Sequence, residues 1–535
     1  MPPVSPPVTD SSPASSRSFT AQISDLFAAH ENTAVAVLVL IWLMATFSVR
    51  ALSLPDEGRY VGVAWEMLRS GQWLTPTLDG LPYFHKPPLF YWITAISIDL
   101  FGTTEWAARI APLTGAFAAV MATHFLLRRW TSAALARWTV LILATSPLLY
   151  GGAQYANHDM LVAGMITASI AFAADAVLSL QAGLAYRRSL LLAWAAAALG
   201  LLTKGLIGVV LPGGVIIVWL LTERRLHIVP RLLWWPAPLL FALIAAPWFV
   251  LMQHQHPGFV HYFFIHQQFQ RFTAGGFNNM QPFWFYPAAL AVLNLPWIVL
   301  LTTRFVRHEP VDATRLSMRR LLWIWLILIV LFFSIPKSKL LGYVLPVLPA
   351  LAALIAEGML QTRFWGGVVA WRRQAFLVLA GALCVGAVFA IAAADTTTSR
   401  ELAKTYRQRA EPGQPLIFVN VYPFDFIFYG QIAQPVAVLE NWDDAELMRK
   451  DSWRKELGDA GEFAPALGKQ LLLPRDRFPA LLCQHDVSWV MMPADAVGND
   501  PRLAGAESIG ISNNKVLLRI NRHQIPCPSL TGKAP

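Results

Sequence analysis

The chain has 535 residues, of which 56% are hydrophobic and only 14% charged, with a mean hydropathy of +0.47. Soluble domains carry about 25% charged residues, so the composition excludes an ordinary soluble protein and indicates a polytopic membrane protein. The formal charge of +10 does not signal nucleic-acid binding, because the basic residues fall as pairs between apolar runs, such as Arg128-Arg129, Arg187-Arg188, Arg224-Arg225, Arg319-Arg320 and Arg372-Arg373.

Residues 1–30 are rich in Pro and Ser and lack a basic n-region, so a disordered cytoplasmic tail is expected here rather than a cleaved signal peptide. Apolar stretches follow at 33–52, 105–127, 133–150, 158–180, 189–203, 206–222, 232–252, 283–303, 320–335, 342–361 and 374–394. They read as spanning helices, some shorter than the roughly 20 residues that cross a bilayer. The stretch 87–101 decides the topology. If it spans, all the Arg pairs move outside; if it is interfacial or re-entrant, they fall inside, as cytoplasmic loops require. The second reading is therefore adopted, placing the loops 53–104, 151–157, 203–205, 253–282 and 336–341 outside.

From Gly58 to Ser70, apolar residues at Tyr60, Val63, Ala64, Met67 and Leu68 follow helical spacing, predicting an amphipathic helix on the membrane surface. Beyond residue 394 hydropathy collapses. Strand-like runs at Leu416–Val419, Val436–Leu439 and Val516–Leu518, with a helix-like stretch from Asp443 to Leu457, predict a periplasmic α/β domain over 395–535. Cys483 and Cys527 lie in it, where an oxidising compartment would allow a disulfide. No GxGxxG or Walker-type loop is present, which disfavours a nucleotide donor.

The outward loops carry unusual charge. Asp56, in Leu54-Pro55-Asp56-Glu57-Gly58-Arg59-Tyr60, and Asp159, in Gln154-Tyr155-Ala156-Asn157-His158-Asp159, should share the outer face; either could instead cap a helix N-terminus. Lys86, Lys204, Arg271, Lys337 and Lys339 occupy outward loops against the positive-inside trend, so an anionic ligand should meet them, although single cations at helix ends also snorkel. His85, His266 and the neighbouring His254, His256 and His261 lack metal-ligand spacing on one helix, so no metal and no cofactor are expected. Trp73, Trp92, Trp284 and Tyr286 fit an interfacial belt.

The segments around Asp56 and at Tyr83-Phe84-His85-Lys86-Pro87-Pro88-Leu89-Phe90-Tyr91-Trp92 resemble the first periplasmic loop of lipid-carrier-dependent glycosyltransferases of the GT-C superfamily, in particular the aminoarabinose transferases that modify lipid A. The resemblance implies an all-α transmembrane domain of GT-C type at 31–394, with about 11–13 transmembrane helices, in the bacterial inner membrane with its catalytic loops in the periplasm. It implies Asp56 and Asp159 as active-site acids, and Lys86, Arg271, Lys204 and Tyr343 near the phosphate of a polyprenyl phosphate sugar donor. Glu57, Arg59, Tyr60, His85, His266, Lys337 and Lys339 would support them. Where the family usually has Phe-Glu-Lys-Pro-Pro, this chain has His85 before Lys86, which removes an anion. The implied activity is inverting transfer of 4-amino-4-deoxy-L-arabinose from undecaprenyl phosphate to a lipid A phosphate. A protein O-mannosyltransferase-like or other envelope glycan-modifying enzyme of the same superfamily is the nearer alternative. A lipid flippase is the farther one, and it should show paired broken helices in two similar halves, which the sequence lacks.

Overall fold

The computed structural model describes residues 30–270, 279–305, 312–361, 370–446, 450–525 and 527. Arg271 and the segment expected as an N-terminal tail lie outside them, apart from His30, and of His266 only the backbone is described. Among the described residues, six helices are long and apolar enough to cross a membrane: Ile110–Trp130, His158–Gln181, Pro236–Gln255, Ala313–Ser334, Leu341–Gln361 and Trp371–Ala394. The pair Ala133–Ala144 and Pro147–Ala153 makes a seventh if counted as one span, bent by 66°. The bend has a local cause. Pro147 supplies no N–H, and the Thr145 and Ser146 hydroxyls donate back to the carbonyls of Leu141 and Ile142, which weakens the ladder at that turn. Shorter apolar helices at Glu31–Met44, Leu89–Phe101 and Ile207–Thr222 complete the apolar set. The chain is a multi-pass membrane protein.

Helices Ile110–Trp130 and His158–Gln181 form the centre. A Cβ on Gly115 would lie 2.2 Å from the Met160 carbonyl oxygen, and one on Gly164 would lie 2.1 Å from that of Gly115. The backbones therefore touch, as small residues permit between helices in lipid. Helix Leu89–Phe101 has 13 residues, about 20 Å against a hydrocarbon core of about 30 Å. It belongs with Glu31–Met44 and Ile207–Thr222 among the shorter apolar helices.

The amphipathic helix starts two residues earlier than its pattern predicts, at Asp56, and ends at Ser70. It does not lie bare on a membrane surface. Glu57, Gly58, Tyr60 to Trp65 and Met67 are buried, because one face packs on Leu89–Phe101 and the other on Phe424–Tyr429 of the C-terminal part. The contact is close: a Cβ on Gly58 would lie 2.7 Å from the Asp425 nitrogen.

The C-terminal part holds a six-stranded sheet in the order Leu472–Leu473, Ala437–Leu439, Leu416–Val419, Val487–Pro493, Lys515–Asn521, Glu507–Ser512. The first four strands run parallel and the last two pair antiparallel. The predicted strands at 416–419 and 516–518 fall within it, and the one predicted at 436–439 starts one residue later, at Ala437. Of the helix-like stretch expected at 443–457, residues 447–449 lie outside the described residues, and 453–457 fall in helix Trp453–Phe463, where Leu457, Ala460 and Gly461 are buried at helical spacing. Cys483 and Cys527 are disulfide-bonded, with Cα atoms 5.7 Å apart.

Candidate active site

The segment 50–57 is fastened to the segment 154–156 by one buried carboxylate. Glu57, on the first turn of helix Asp56–Ser70, has no exposed side-chain surface. Its Oε1 accepts from the Ala156 backbone N–H at 2.8 Å and from Arg109 Nε at 3.1 Å. Its Oε2 accepts from the Ser53 N–H at 2.8 Å and from Arg50. Arg109 also donates to the carbonyls of Ala51 and Arg50, and Arg50 to that of Gln154. Burial alone would push the Glu57 carboxyl up, but the guanidinium groups of Arg109 and Arg50 outweigh it and hold it down at about 2. A buried charge is tolerated when it is paired and fully hydrogen-bonded; here the result is that residues 50–57 and 154–156 form one unit.

On that unit stand the two predicted acids, each with a cation. Asp56 pairs with Arg59, three residues on, and Arg59 also pairs with Glu456 on helix Trp453–Phe463. The Arg59 guanidinium lies over the rings of Tyr60 and Phe424, at 4.7 Å and 5.7 Å. Arg59 therefore pairs with Asp56 and Glu456, not with Glu57. Asp159 pairs with Lys204 at the end of helix Arg187–Lys204, and its Oδ2 accepts from Asn157 Nδ2 at 3.1 Å. Asn157, not Asp159, caps helix His158–Gln181, its side chain accepting from the Asp159 N–H at 2.9 Å. The Lys204 ammonium sits 4.5 Å above the Tyr343 ring. Gly342 is the residue that lets this strand of chain approach, since a Cβ there would fall 2.1 Å from Asp159 Oδ2.

Tyr60 stands between the two acids. Its phenol is raised above the usual range by burial; Arg59 opposes that, while Asp56, Glu456 and Asp159 add to it. Tyr60 is thus a protonated donor within electrostatic reach of both carboxylates. Its ring meets His158 edge-on at 4.6 Å, and Phe90 and Tyr91 enclose the same imidazole at 4.6 Å and 5.1 Å. Lys86, Lys204 and Arg59 all act electrostatically on His158.

The segment carrying His85 and Lys86 is held by a short hairpin, Thr77–Leu78 with Leu81–Pro82. Glu66 closes it by accepting from Thr77 Oγ1 at 2.9 Å and from the N–H groups of Asp79 and Gly80 at 2.8 Å and 2.9 Å. Lys86 Nζ donates to the His85 carbonyl at 3.2 Å. The His85 imidazole is buried between Tyr83 and Tyr262, with ring centroids 4.5 Å and 6.3 Å away. Among the described residues no group of three or more His, Cys, Asp or Glu side chains could hold a metal ion. Lys339 is buried and donates to the carbonyls of Gln281 and Pro336, tying 279–281 to 336–339, while Lys337 is exposed. The two lysines thus serve different ends despite their spacing.

Arg50, Arg109, Glu456 and His158 escape a reading of the sequence. For the two arginines a signal existed: each is a charged residue near one end of an apolar stretch, at 33–52 and 105–127, where an ionisable side chain is rare. Glu456 lies 397 residues from Arg59, and no local pattern announces that pairing.

The family described as Dolichyl-phosphate-mannose-protein mannosyltransferase matches residues 33–263. The chain is 34% identical over 368 residues to a protein of Aeromonas salmonicida named undecaprenyl phosphate-alpha-4-amino-4-deoxy-L-arabinose arabinosyl transferase, an alignment covering 67% of this chain and 65% of the relative. A protein of the same name from Pseudomonas aeruginosa is 32% identical over 359 residues, covering 65% of this chain and 63% of the relative. The matched region spans less than two thirds of these relatives' own length. Among solved structures, ArnT from Cupriavidus metallidurans bound to undecaprenyl phosphate superposes with a TM-score of 0.77 at 23% identity, covering 97% of this chain and 100% of that one. Archaeal oligosaccharyltransferase AglB from Archaeoglobus fulgidus superposes with a TM-score of 0.51 at 12% identity, covering 93% and 77%. The resemblance first seen at residues 54–92 thus extends to the whole architecture: this chain has the fold of ArnT, a helical membrane domain followed by a C-terminal sheet domain.

Proposed function

We propose that the chain is an inverting glycosyltransferase that moves 4-amino-4-deoxy-L-arabinose from undecaprenyl phosphate to a lipid A phosphate at the periplasmic face of the inner membrane. The observation that carries this reading is the pairing of Asp56 with Arg59 and of Asp159 with Lys204 on either side of Tyr60, in a chain similar to relatives named for that donor. Two carboxylates and several cations gathered at the mouth of a helical bundle suit a substrate that is both anionic and amine-bearing.

In this mechanism an oxygen of the acceptor phosphate attacks the anomeric carbon from the side opposite the carrier. The bond from that carbon to the carrier oxygen breaks, and its electron pair leaves on the carrier phosphate. Lys86 and Arg271 meet the charge that develops there through charge-assisted hydrogen bonds. Lys204, shared with Asp159, stands next to that phosphate, with Tyr343 beneath its ammonium. Asp159 receives the sugar amine. An acceptor phosphate is already ionised near neutral pH and needs no base, so Asp56 positions the acceptor; a hydroxyl acceptor would make it the base.

The reading is tested by mass spectrometry of lipid A from cells with and without the gene. A pentosamine on phosphate that vanishes with the gene is the expected result. Unchanged lipid A with loss of hexose from envelope proteins would favour the mannosyltransferase-like alternative, which the family match at 33–263 also accommodates. Orientation is tested by cysteine labelling of intact cells, with 53–104 and 395–535 labelled from outside and positions 128, 224 and 372 protected.

A further inference from the structure

A second group of cations lies at the far end of the bundle. Helices Glu31–Met44 and Ala133–Ala144 both begin there and run toward Arg50 and Tyr155. Between them and helix Ala370–Ala394 runs a groove of about 750 Å³, walled by side chains such as Leu38, Trp42, Leu141, Leu377 and Val385. Gly381 deepens it, since only a hydrogen faces the Trp42 ring where a Cβ would come within 3.4 Å. The lining is apolar except for Thr145 and, at the mouth, Arg137.

The charges at that mouth do not balance. Glu31 pairs with Arg128 and, at 3.6 Å, with Arg137, whose side chain is 57% exposed. Arg373 stands one helical turn before Leu377, on the same face as Leu377 and Gly381. Its guanidinium lies 5.8 Å over the ring of Trp138, the residue after Arg137. Its Nε is buried and has no hydrogen-bond partner among the described residues. Among the described residues, Arg128 and Arg137 thus share the carboxylate of Glu31, while Arg373 adds a third guanidinium beside Trp138, and the positive surplus opens onto a groove that a hydrocarbon chain would fill favourably. A basic cluster at the end of an apolar cleft between membrane helices is the arrangement that recognises anionic lipid head groups.

We propose that this groove binds an anionic phospholipid, its phosphodiester between Arg137 and Arg373 and one acyl chain lying between Trp42 and Gly381. The site is separate from the one around Asp56 and Asp159 and does not depend on the reaction proposed for it. The phosphodiester gains two charged donors, and the chain covers a face that otherwise packs loosely against helix Ala370–Ala394.

The test is native mass spectrometry of the full chain, delipidated in detergent and then offered phosphatidylglycerol or phosphatidylcholine. The wild-type chain is expected to retain a single phosphatidylglycerol in preference to phosphatidylcholine. Arg137→Gln and Arg373→Gln should each lower that preference by about fivefold, the worth of one arginine near an anionic head group. Arg137→Lys should keep it, and Ala382→Trp, which fills the groove, should lose both lipids. Thermal unfolding of each variant shows whether it folds, and because Arg137 is largely exposed its replacement removes no core packing. Equal retention of the two lipids by the wild-type chain would overturn the proposal. So would unchanged selectivity in an Arg137→Gln, Arg373→Gln double variant, or inorganic phosphate competing as strongly as the lipid.

Discussion

The Glu57 carboxylate accepts the Ala156 backbone N–H at 2.8 Å across 99 residues of sequence, and this bond sets the distance between the loops that carry Asp56 and Asp159. Glu57 itself is buried with Arg50 and Arg109. Its role is to make two loops one rigid body, so the acids beside it are positioned by the fold rather than by the ligand.

Replacing Glu57 with Gln should therefore be costly. It leaves two buried guanidinium groups short of a counter-charge, a loss of about 3–5 kcal/mol, read as a fall in Tm and in transfer together. The pH dependence has a definite sign. Because the folded carboxyl is held down at about 2 against an ordinary 4.5, its stabilisation is complete above 4.5 and is lost as pH falls from there toward 2. Thermal unfolding followed from pH 6 to pH 3 should show that slope in the wild-type chain and not in Glu57→Gln. Parallel slopes would mean that the cluster is not coupled to folding.

A second pair of carboxyls should respond in the opposite sense. Glu66 is pushed up to about 7 by burial despite its three hydrogen bonds, and Asp79 is raised well above its usual range by burial and by Glu66. Asp79 Oδ1 accepts from the Val436 N–H at 2.9 Å, joining the hairpin loop to the C-terminal sheet domain, while its buried Oδ2 has no partner among the described residues. A carboxyl raised in the folded state stabilises fully below its unfolded value and loses that contribution as pH rises through the folded one. Stability should thus decline between pH 4.5 and pH 7 on account of Glu66. Asp79→Asn keeps the acceptor for Val436 and removes the charge, so it should raise stability at pH 8 by about 1–2 kcal/mol. A lower Tm in that variant at pH 8 would show that Asp79 is charged and needed.

How much of this was legible beforehand depends on how local the cause is. The spanning helices, the strand at Leu416–Val419 and the end of the amphipathic helix at Ser70 follow from apolar periodicity and composition, which act over a few residues. Asp56, Lys86 and Asp159 were legible because charge at a membrane boundary is rare enough to stand out. The burial of helix Asp56–Ser70 was not, since its polar-looking face is covered by Phe424 and its neighbours, which are more than 350 residues away and carry no complementary pattern. Lys204 illustrates the intermediate case. Its place as a cation at the end of an apolar stretch is plain from the sequence, whereas its pairing with Asp159 depends on how helices Arg187–Lys204 and His158–Gln181 pack side by side.

That pairing and its counterpart at Arg59 lead to a prediction about the two domains. Glu456 of the C-terminal part shares Arg59 with Asp56, so Glu456→Gln should let Arg59 shift toward Asp56 and disturb a group it never touches. A charged hydrogen bond is worth about 1.5–3 kcal/mol, and transfer should fall by about tenfold or more, chiefly in kcat, with the KM for the lipid-linked donor little changed. Lys204→Met, by contrast, should act on donor affinity as well, because Lys204 stands beside Asp159 and Tyr343. Equal losses in KM for both variants would place Glu456 in ordinary packing.

His85 provides the sharpest test of how far the glycosyltransferase resemblance governs this site. It occupies the place where the aminoarabinose transferases usually carry a glutamate, and here its imidazole lies between Tyr83 and Tyr262, with Lys86 donating to its carbonyl. If His85 serves only as a polar lining between two aromatic rings, a carboxylate of similar reach should be accommodated, and it would gain Lys86 as a neighbour of opposite charge. His85→Glu is therefore expected to retain transfer within about tenfold of wild type, a change of no more than ~1.4 kcal/mol in the barrier, and chelators should affect neither form. His85→Ala, which opens a gap between the rings, should cost more than His85→Glu. Loss of activity on chelation, recovered by added zinc and abolished equally by His85→Ala and His266→Ala, would instead identify the imidazole as a metal ligand and the glutamate of the relatives as its counterpart.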